Sequence, residues 1–388
     1  MTIEPSPPAA LDRGLPTGLV VGILSTYPPT ACGLATFSAA LRGGLAVAGV
    51  EGRVVRVADG SVSSRVEVVG ELINGSARSI EAAAGLLNQC DVAVVQHEYG
   101  LYGGADGDEV LQLLDQLQVP AIAVAHTILR DPAPHQRSVL VDVAAAADQL
   151  VVMSESARAR LCATFDVDVS KVTTIPHGAT VPTTAPPAFA RSPMVLTCGL
   201  LGPGKGIERV LDALPSLRDL RPRPRYLVAG QTHPKVLAAD GEAYRNARVS
   251  QAWRNGVAGS VDFDDAYRDV ASLTALLQSA AVVVLPYDSP DQVTSGVLVD
   301  ALAAGRPVIA TAFPHAVELL ASGAGIVVDH NDPEAMGWAL RRVLTEGSLA
   351  VRMADEAARL APDMAWPVVA SAYVRLAEQL LAERLALV

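Results

Sequence analysis

The chain has 388 residues, half of them apolar and 18% charged, with a formal net charge of −11. That is enough apolar material for two cores and too little charge for a disordered chain. The acidic balance argues against nucleic acid as a partner and against tight docking on anionic lipid.

The first fifteen residues hold several prolines and an acidic residue but no apolar stretch, so they do not read as a signal peptide. No run reaches the ~18 apolar residues of a membrane span. The expectation is a cytoplasmic protein without an integral membrane segment, free to form a homo-oligomer. Cys32, Cys90, Cys162 and Cys198 lie far apart, without zinc-ligand spacing or a disulfide framework, and are expected reduced and buried. Among the basic residues are 27 arginines and only three lysines, Lys171, Lys205 and Lys235.

Short apolar runs alternate with helical patterns along the chain. Runs at 19–24, 92–95, 121–125 and 150–153 read as strands buried on both faces, as do later runs at 194–197, 226–229, 281–285, 308–310 and 326–328. Residues 35–48, 80–87, 207–220 and 294–304 have helical periodicity. The alternation predicts an α/β protein with parallel, doubly wound sheets. It pauses at 181–193 (VPTTAPPAFARSP), where four prolines without periodicity suggest a linker. This divides the chain into residues 1–186, residues 187–365 and a terminal amphipathic helix at 366–388. Two such domains present two sets of strand ends, and a cleft between them is the natural ligand site.

Several loops could carry chemistry. After the first strand, residues 25–37 (STYPPTACGLATF) place Gly33 before a helix. That can offer backbone N–H groups to a phosphate, or can simply be a turn that needs one glycine. Residues 199–206 (GLLGPGKG) put Gly199, Gly204 and Lys205 between a strand and a helix. A chain so poor in lysine places one inside its most glycine-rich loop, which favours anion binding over a solvated lysine. Residues 285–300 (LPYDSPDQVTSGVLVD) run through Gln292 into Thr294, Ser295 and Gly296, a second anion-ready helix start, with Asp300 one to two turns on. An ordinary solvated carboxylate is the alternative for Asp300. His97, in QHEYGLYGG at 96–104, and His126 and His177 fall after strands where a doubly wound domain puts its site, without metal-ligand spacing. Gln231, in GQTHP at 230–234, could line a base or diphosphate site or a plain polar loop.

Together these loops resemble family 4 of the retaining glycosyltransferases, which have the GT-B fold: two Rossmann-like doubly wound domains facing each other across a cleft. The resemblance runs from about residue 22 to 373. It is specific to a bacterial subgroup with CGIATF-, QHEYG-, PHG-, GLLxPxKGIE-, GQTHP- and QxTSG-like segments, matched here at 32–37, 96–104, 176–178, 199–208, 230–234 and 292–296. The resemblance implies a nucleotide diphosphate sugar as donor substrate, with GDP-mannose as the family-level guess, a hydroxyl acceptor, and no required cofactor or metal. It implies that Gly33 sits at the donor diphosphate and His126 at the transferred sugar. Lys205 and the helix start at 294–296 would hold the phosphates, and Asp300 the ribose hydroxyls. Trp366 and the helix after it resemble the segment that crosses back to the N-terminal domain. His97, Tyr102 and His177 are acceptor-side candidates. Leu200 stands where the wider family has an arginine, and Gln292 where it has a glutamate. Two rivals follow: an epimerase or phosphorylase on the same fold, and a catalytically weak nucleotide-sugar-binding protein.

Overall fold

The computed structural model describes residues 18–184 and 192–386. The N-terminal fifteen residues, the stretch 185–191 of the proline-rich linker and Leu387 lie outside the described residues.

The N-terminal sheet contains β1 (Val20–Ser25), β2 (Glu51–Val57), β3 (Val68–Leu72), β4 (Val92–His97), β5 (Ala121–Ala125), β6 (Gln149–Val152) and β7 (Val172–Thr174). All are parallel, in the order β3-β2-β1-β4-β5-β6-β7. The C-terminal sheet contains β8 (Met194–Cys198), β9 (Arg225–Ala229), β10 (Val261–Asp264), β11 (Val282–Leu285), β12 (Val308–Thr311) and β13 (Gly325–Val328). It is also parallel, in the order β10-β9-β8-β11-β12-β13. Both sheets therefore reverse direction between their first and fourth strands, which is where a doubly wound domain opens a crevice. The central strands β4, β5, β11 and β12 are buried along their whole length, because helices cover both faces.

Each sheet is sandwiched by two apolar clusters. One N-terminal cluster is completed from the far end of the chain. The helix Trp366–Ala386 inserts Val369, Ala370, Tyr373 and Leu380 among Leu41, Leu45 and Ile23. Gly44 makes this possible, since a β-carbon there would stand 2.6 Å from the Trp366 carbonyl oxygen. A parallel bridge between Ala179 and Ala365 brings the two crossing segments together, with Ala179 N donating to Met364 O at 2.7 Å. No described helix is long and apolar enough to cross a membrane.

Candidate active site

The loop after β1 forms one lip of the cleft. Cys32 caps the helix Gly33–Val47, its Sγ accepting the Ala35 N–H at 3.4 Å. A β-carbon at Gly33 would meet nothing within 4 Å, so the glycine leaves open space at the helix start. Arg56, fully buried, holds the loop from behind. It donates to Tyr27 O at 3.2 Å and Thr30 Oγ1 at 3.0 Å, and pairs with Asp59 and with Glu71 at 2.7 Å.

The N-terminal wall is made of residues from the ends of β4 and β5. Gln96 Oε1 lies 2.6 Å from His126 Nε2; with the amide oxygen facing the ring, Nε2 carries the proton and Nδ1 keeps its lone pair. Burial, assisted by neighbouring His177 and His97, pushes His126 down to about 3, so the ring is neutral near pH 7. Burial likewise takes His177 to about 4, its Nδ1 lying 2.7 Å from Gly178 O. The Phe37 ring meets His126, His177 and Trp366 edge-on, at centroid distances of 4.9, 5.1 and 5.0 Å. Glu98 lines the same space and accepts Thr127 Oγ1–H at 2.6 Å.

The C-terminal wall faces it. Gly206, at φ +63°, turns the loop after β8 into the helix Ile207–Ala213; a β-carbon there would overlap Pro286 O at 1.7 Å. This turn leaves Lys205 Nζ 4.6 Å from the centre of the Tyr287 ring. The helix Gly296–Ala303 is capped by Ser295, whose hydroxyl accepts the Leu298 N–H. The buried Thr294 Oγ1 has no partner, and His177 Nε2 lies 3.0 Å from where a Gly296 β-carbon would sit. Burial raises the Asp300 carboxyl to about 7.

These residues enclose a cavity of about 520 Å³ between the domains, lined by Gly33, His126, His177, Lys205, Gln292, Thr294, Ser295, Gly296 and Asp300. It opens into a second, more apolar space of about 760 Å³ that reaches Arg65, Tyr267 and Arg268. Lys205 is the only lysine or arginine among the described residues lining the inner cavity. No group of three or more His, Cys, Asp or Glu placed to hold a metal occurs among the described residues.

The domains are also clasped along one seam. Glu318 accepts the backbone N–H groups of Glu155 and Ser156, at 3.0 and 2.8 Å, at the start of the helix Glu155–Thr164. Ser154 Oγ donates to Val293 O at 2.6 Å, and Arg160 bridges Ile128 O and Asp291 O. The seam thus grips the loop that leads into Thr294.

Several expectations are corrected. β4 continues to His97, so that side chain belongs to the sheet interior; neither ring nitrogen finds a partner, and burial takes it to about 4. Tyr102 turns back under the strand and donates to Gln96 O at 2.6 Å, 3% exposed, as a core residue. Neither lines the cavity. Gln231 is exposed and contributes only its carbonyl, to Leu201 N; His233, two residues on, reaches the cavity instead. Gly199 and Gly204, at φ +117° and +90°, shape the loop while their neighbours Leu200 and Lys205 line the space. The Ser295 N–H is spent on His315 Nδ1 at 2.9 Å, so the donors left open at that helix start are Gly296 and Val297. All four cysteines are free, but only Cys90 and Cys198 are buried. Two further residues of the QHEYG segment stand at the cavity: Glu98 lines it, and Gln96 holds the His126 ring.

Residues 185–360 match the family of glycosyl transferases group 1. Over 287 residues, 67% of this chain and 66% of the relative, the sequence is 28% identical to D-inositol 3-phosphate glycosyltransferase of Corynebacterium glutamicum. Among solved structures, sucrose-phosphate synthase of Thermosynechococcus elongatus superposes with a TM-score of 0.73 at 19% identity, covering 94% of this chain and all of that one. Anabaena Alr3699/HepE in complex with UDP superposes with a TM-score of 0.71 at 16% identity, covering 95% of this chain and all of that one. The chain therefore has the two-domain fold of the GT-B glycosyltransferases, and its residues 185–360 are similar to the glycosyl transferases group 1.

Proposed function

We propose that the chain transfers a hexose, mannose-like by family resemblance, from a nucleoside diphosphate sugar to a hydroxyl acceptor, with retention of anomeric configuration. The observation that carries this reading is the convergence on one cavity of Lys205, the open start of the helix Gly296–Ala303, the unpartnered Thr294 hydroxyl and the bare Gly33. A diphosphate fits that set, because it needs a cation, free N–H donors and a hydroxyl.

In this reading the sugar–phosphate bond breaks and negative charge grows on the leaving diphosphate. Lys205 and the Gly296 and Val297 N–H groups stabilise that charge, and removing one such donor costs roughly 10²–10³ in rate. The chain supplies the positive potential itself, so no added cofactor is required. Asp300 holds ribose hydroxyls. His126, neutral and fixed by Gln96, presents Nδ1 to the sugar as a hydrogen-bond acceptor. The acceptor oxygen attacks on the face the diphosphate leaves, and a diphosphate oxygen takes the acceptor's proton. The seam at Glu318 keeps the domains together and water out.

Leu200 and Gln292 favour one rival, a protein that binds a nucleotide sugar and barely turns it over. The test is a screen of GDP-, UDP-, ADP- and dTDP-hexoses with a panel of acceptors, read by NMR. Transfer with the donor's anomeric configuration kept is expected. Binding of one donor without transfer to any acceptor supports the rival, and an inverted product overturns retention.

A further inference from the structure

We infer that the acceptor is a neutral sugar or cyclic polyol held through its hydroxyls, and that Glu98 is the specificity-determining side chain that selects it over phosphorylated acceptors. This rests on the transferase reading above.

Glu98 is the only charged side chain that the N-terminal domain contributes among the described residues lining the inner cavity, since His126 and His177 are neutral there. Its carboxylate is anchored by the Thr127 hydroxyl at 2.6 Å, which fixes its orientation and spends that hydroxyl's hydrogen. Burial keeps the carboxyl above its usual range, and Thr127, the Tyr99 N–H and the charge of Lys235 offset this only in part. Each arginine around the cleft faces a carboxylate, two of them sharing one, and the charge of Lys235 falls on Glu98 itself. Arg130 and Arg160 face Asp291 at 3.8 and 3.9 Å, Arg65 faces Glu67 at 3.9 Å, and Arg268 pairs with Asp264. Lys205 stands on the opposite wall, where the donor phosphates are read.

A carboxylate can only accept hydrogen bonds, and a sugar diol offers O–H donors to both of its oxygens. A phosphate monoester offers none when fully ionised. It also brings up to two negative charges toward Glu98 in a cleft where water screens poorly. The acceptor wall therefore discriminates by charge. The Corynebacterium relative, by contrast, is named for inositol 3-phosphate.

The experiment compares methyl α-mannoside, methyl α-glucoside and myo-inositol with mannose 6-phosphate, glucose 6-phosphate and inositol 3-phosphate, using whichever donor nucleotide binds. The wild-type protein is expected to favour the neutral set by at least about tenfold in kcat/KM. Glu98→Gln should raise KM for neutral acceptors, leave the donor KM unchanged, and narrow the preference. Thr127→Val, which keeps the carboxylate but frees it, should move both quantities the same way by a smaller factor, and it serves if the first variant does not fold. Equal or better use of phosphorylated acceptors overturns the inference, as does a preference that neither variant alters. A protein that binds no nucleotide fails the transferase reading itself, whereas one that binds nucleotide and prefers phosphorylated acceptors fails this inference alone.

Discussion

On the C-terminal wall, the loops after β8 and β11 bring Lys205, an open helix start and Asp300 to one face of the cleft. On the N-terminal wall, loops at matching places in the same strand order bring Gly33, Glu98 and two histidines held neutral by burial. Shared topology fixes where the cleft opens, while loop residues decide which wall is suited to phosphate and which to hydroxyls. In the proposed reading the C-terminal wall holds the diphosphate, and the N-terminal wall positions the transferred sugar and the acceptor.

The sharpest way to break this contrast is to disturb the N-terminal wall at its centre. His126→Ala should lower kcat by roughly 10²-fold while the melting temperature and the nucleotide affinity stay close to wild type, because the ring serves the transferred sugar rather than the diphosphate. Steady-state kinetics beside a nucleotide titration checks this. Equal losses in both would place His126 on the donor side.

The seam comes next. Burial alone would raise the Glu318 carboxyl, but the Ser156 hydroxyl and the two backbone N–H groups outweigh it and hold it below the usual range. Hydrogen bonds to a charged group contribute about 1.5–3 kcal/mol each. Glu318→Ala should therefore loosen the clasp and raise the donor KM by about tenfold, with a larger radius of gyration in X-ray scattering. For a carboxylate with a lowered folded value, the contribution is present above its unfolded value and lost as pH falls through the folded one. The wild-type clasp should accordingly open on acidification below about pH 4.5. A variant with unchanged scattering would show that the contact does not govern closure.

Asp300 gives a smaller effect in the same direction but at higher pH, because its shift is opposite. With its carboxyl raised to about 7, it is largely protonated at pH 6 and ionised at pH 8, and only the ionised form accepts from both ribose hydroxyls. Nucleotide affinity should rise several-fold between those values, and Asp300→Asn should flatten the profile; calorimetry at each pH decides. Smallest of all is Tyr102→Phe. It removes one hydrogen bond to Gln96 O and should cost about 1 kcal/mol of stability with no change in acceptor KM.

The architecture was legible because buried parallel strands are uniformly apolar, and residues 121–125 appear as β5 with unchanged bounds. The outer strands were harder. β3 (VVGEL) and β10 (VDFD) mix polar and apolar residues because each lies at a sheet edge, open to solvent on one side. In the site, the glycine-rich loop and the TSG helix start could be read from local backbone chemistry. What could not be read was how far β4 runs. Two residues more of strand turned His97 inward, aimed Gln96 at His126, and left Glu98 as the first side chain to emerge into the cleft. The exposure of Gln231 and the loss of the Ser295 N–H to His315 likewise depend on partners distant in sequence.

The central claim is that Lys205 and its surroundings form a nucleoside diphosphate site. The most direct measurement is the melting temperature of wild type and Lys205→Ala with millimolar GDP, UDP, ADP or dTDP, because a ligand that binds only the folded state raises it. A clear rise with one nucleotide in wild type, lost or sharply reduced in Lys205→Ala, is the predicted result. No rise with any nucleotide, or an equal rise in the variant, would contradict the account.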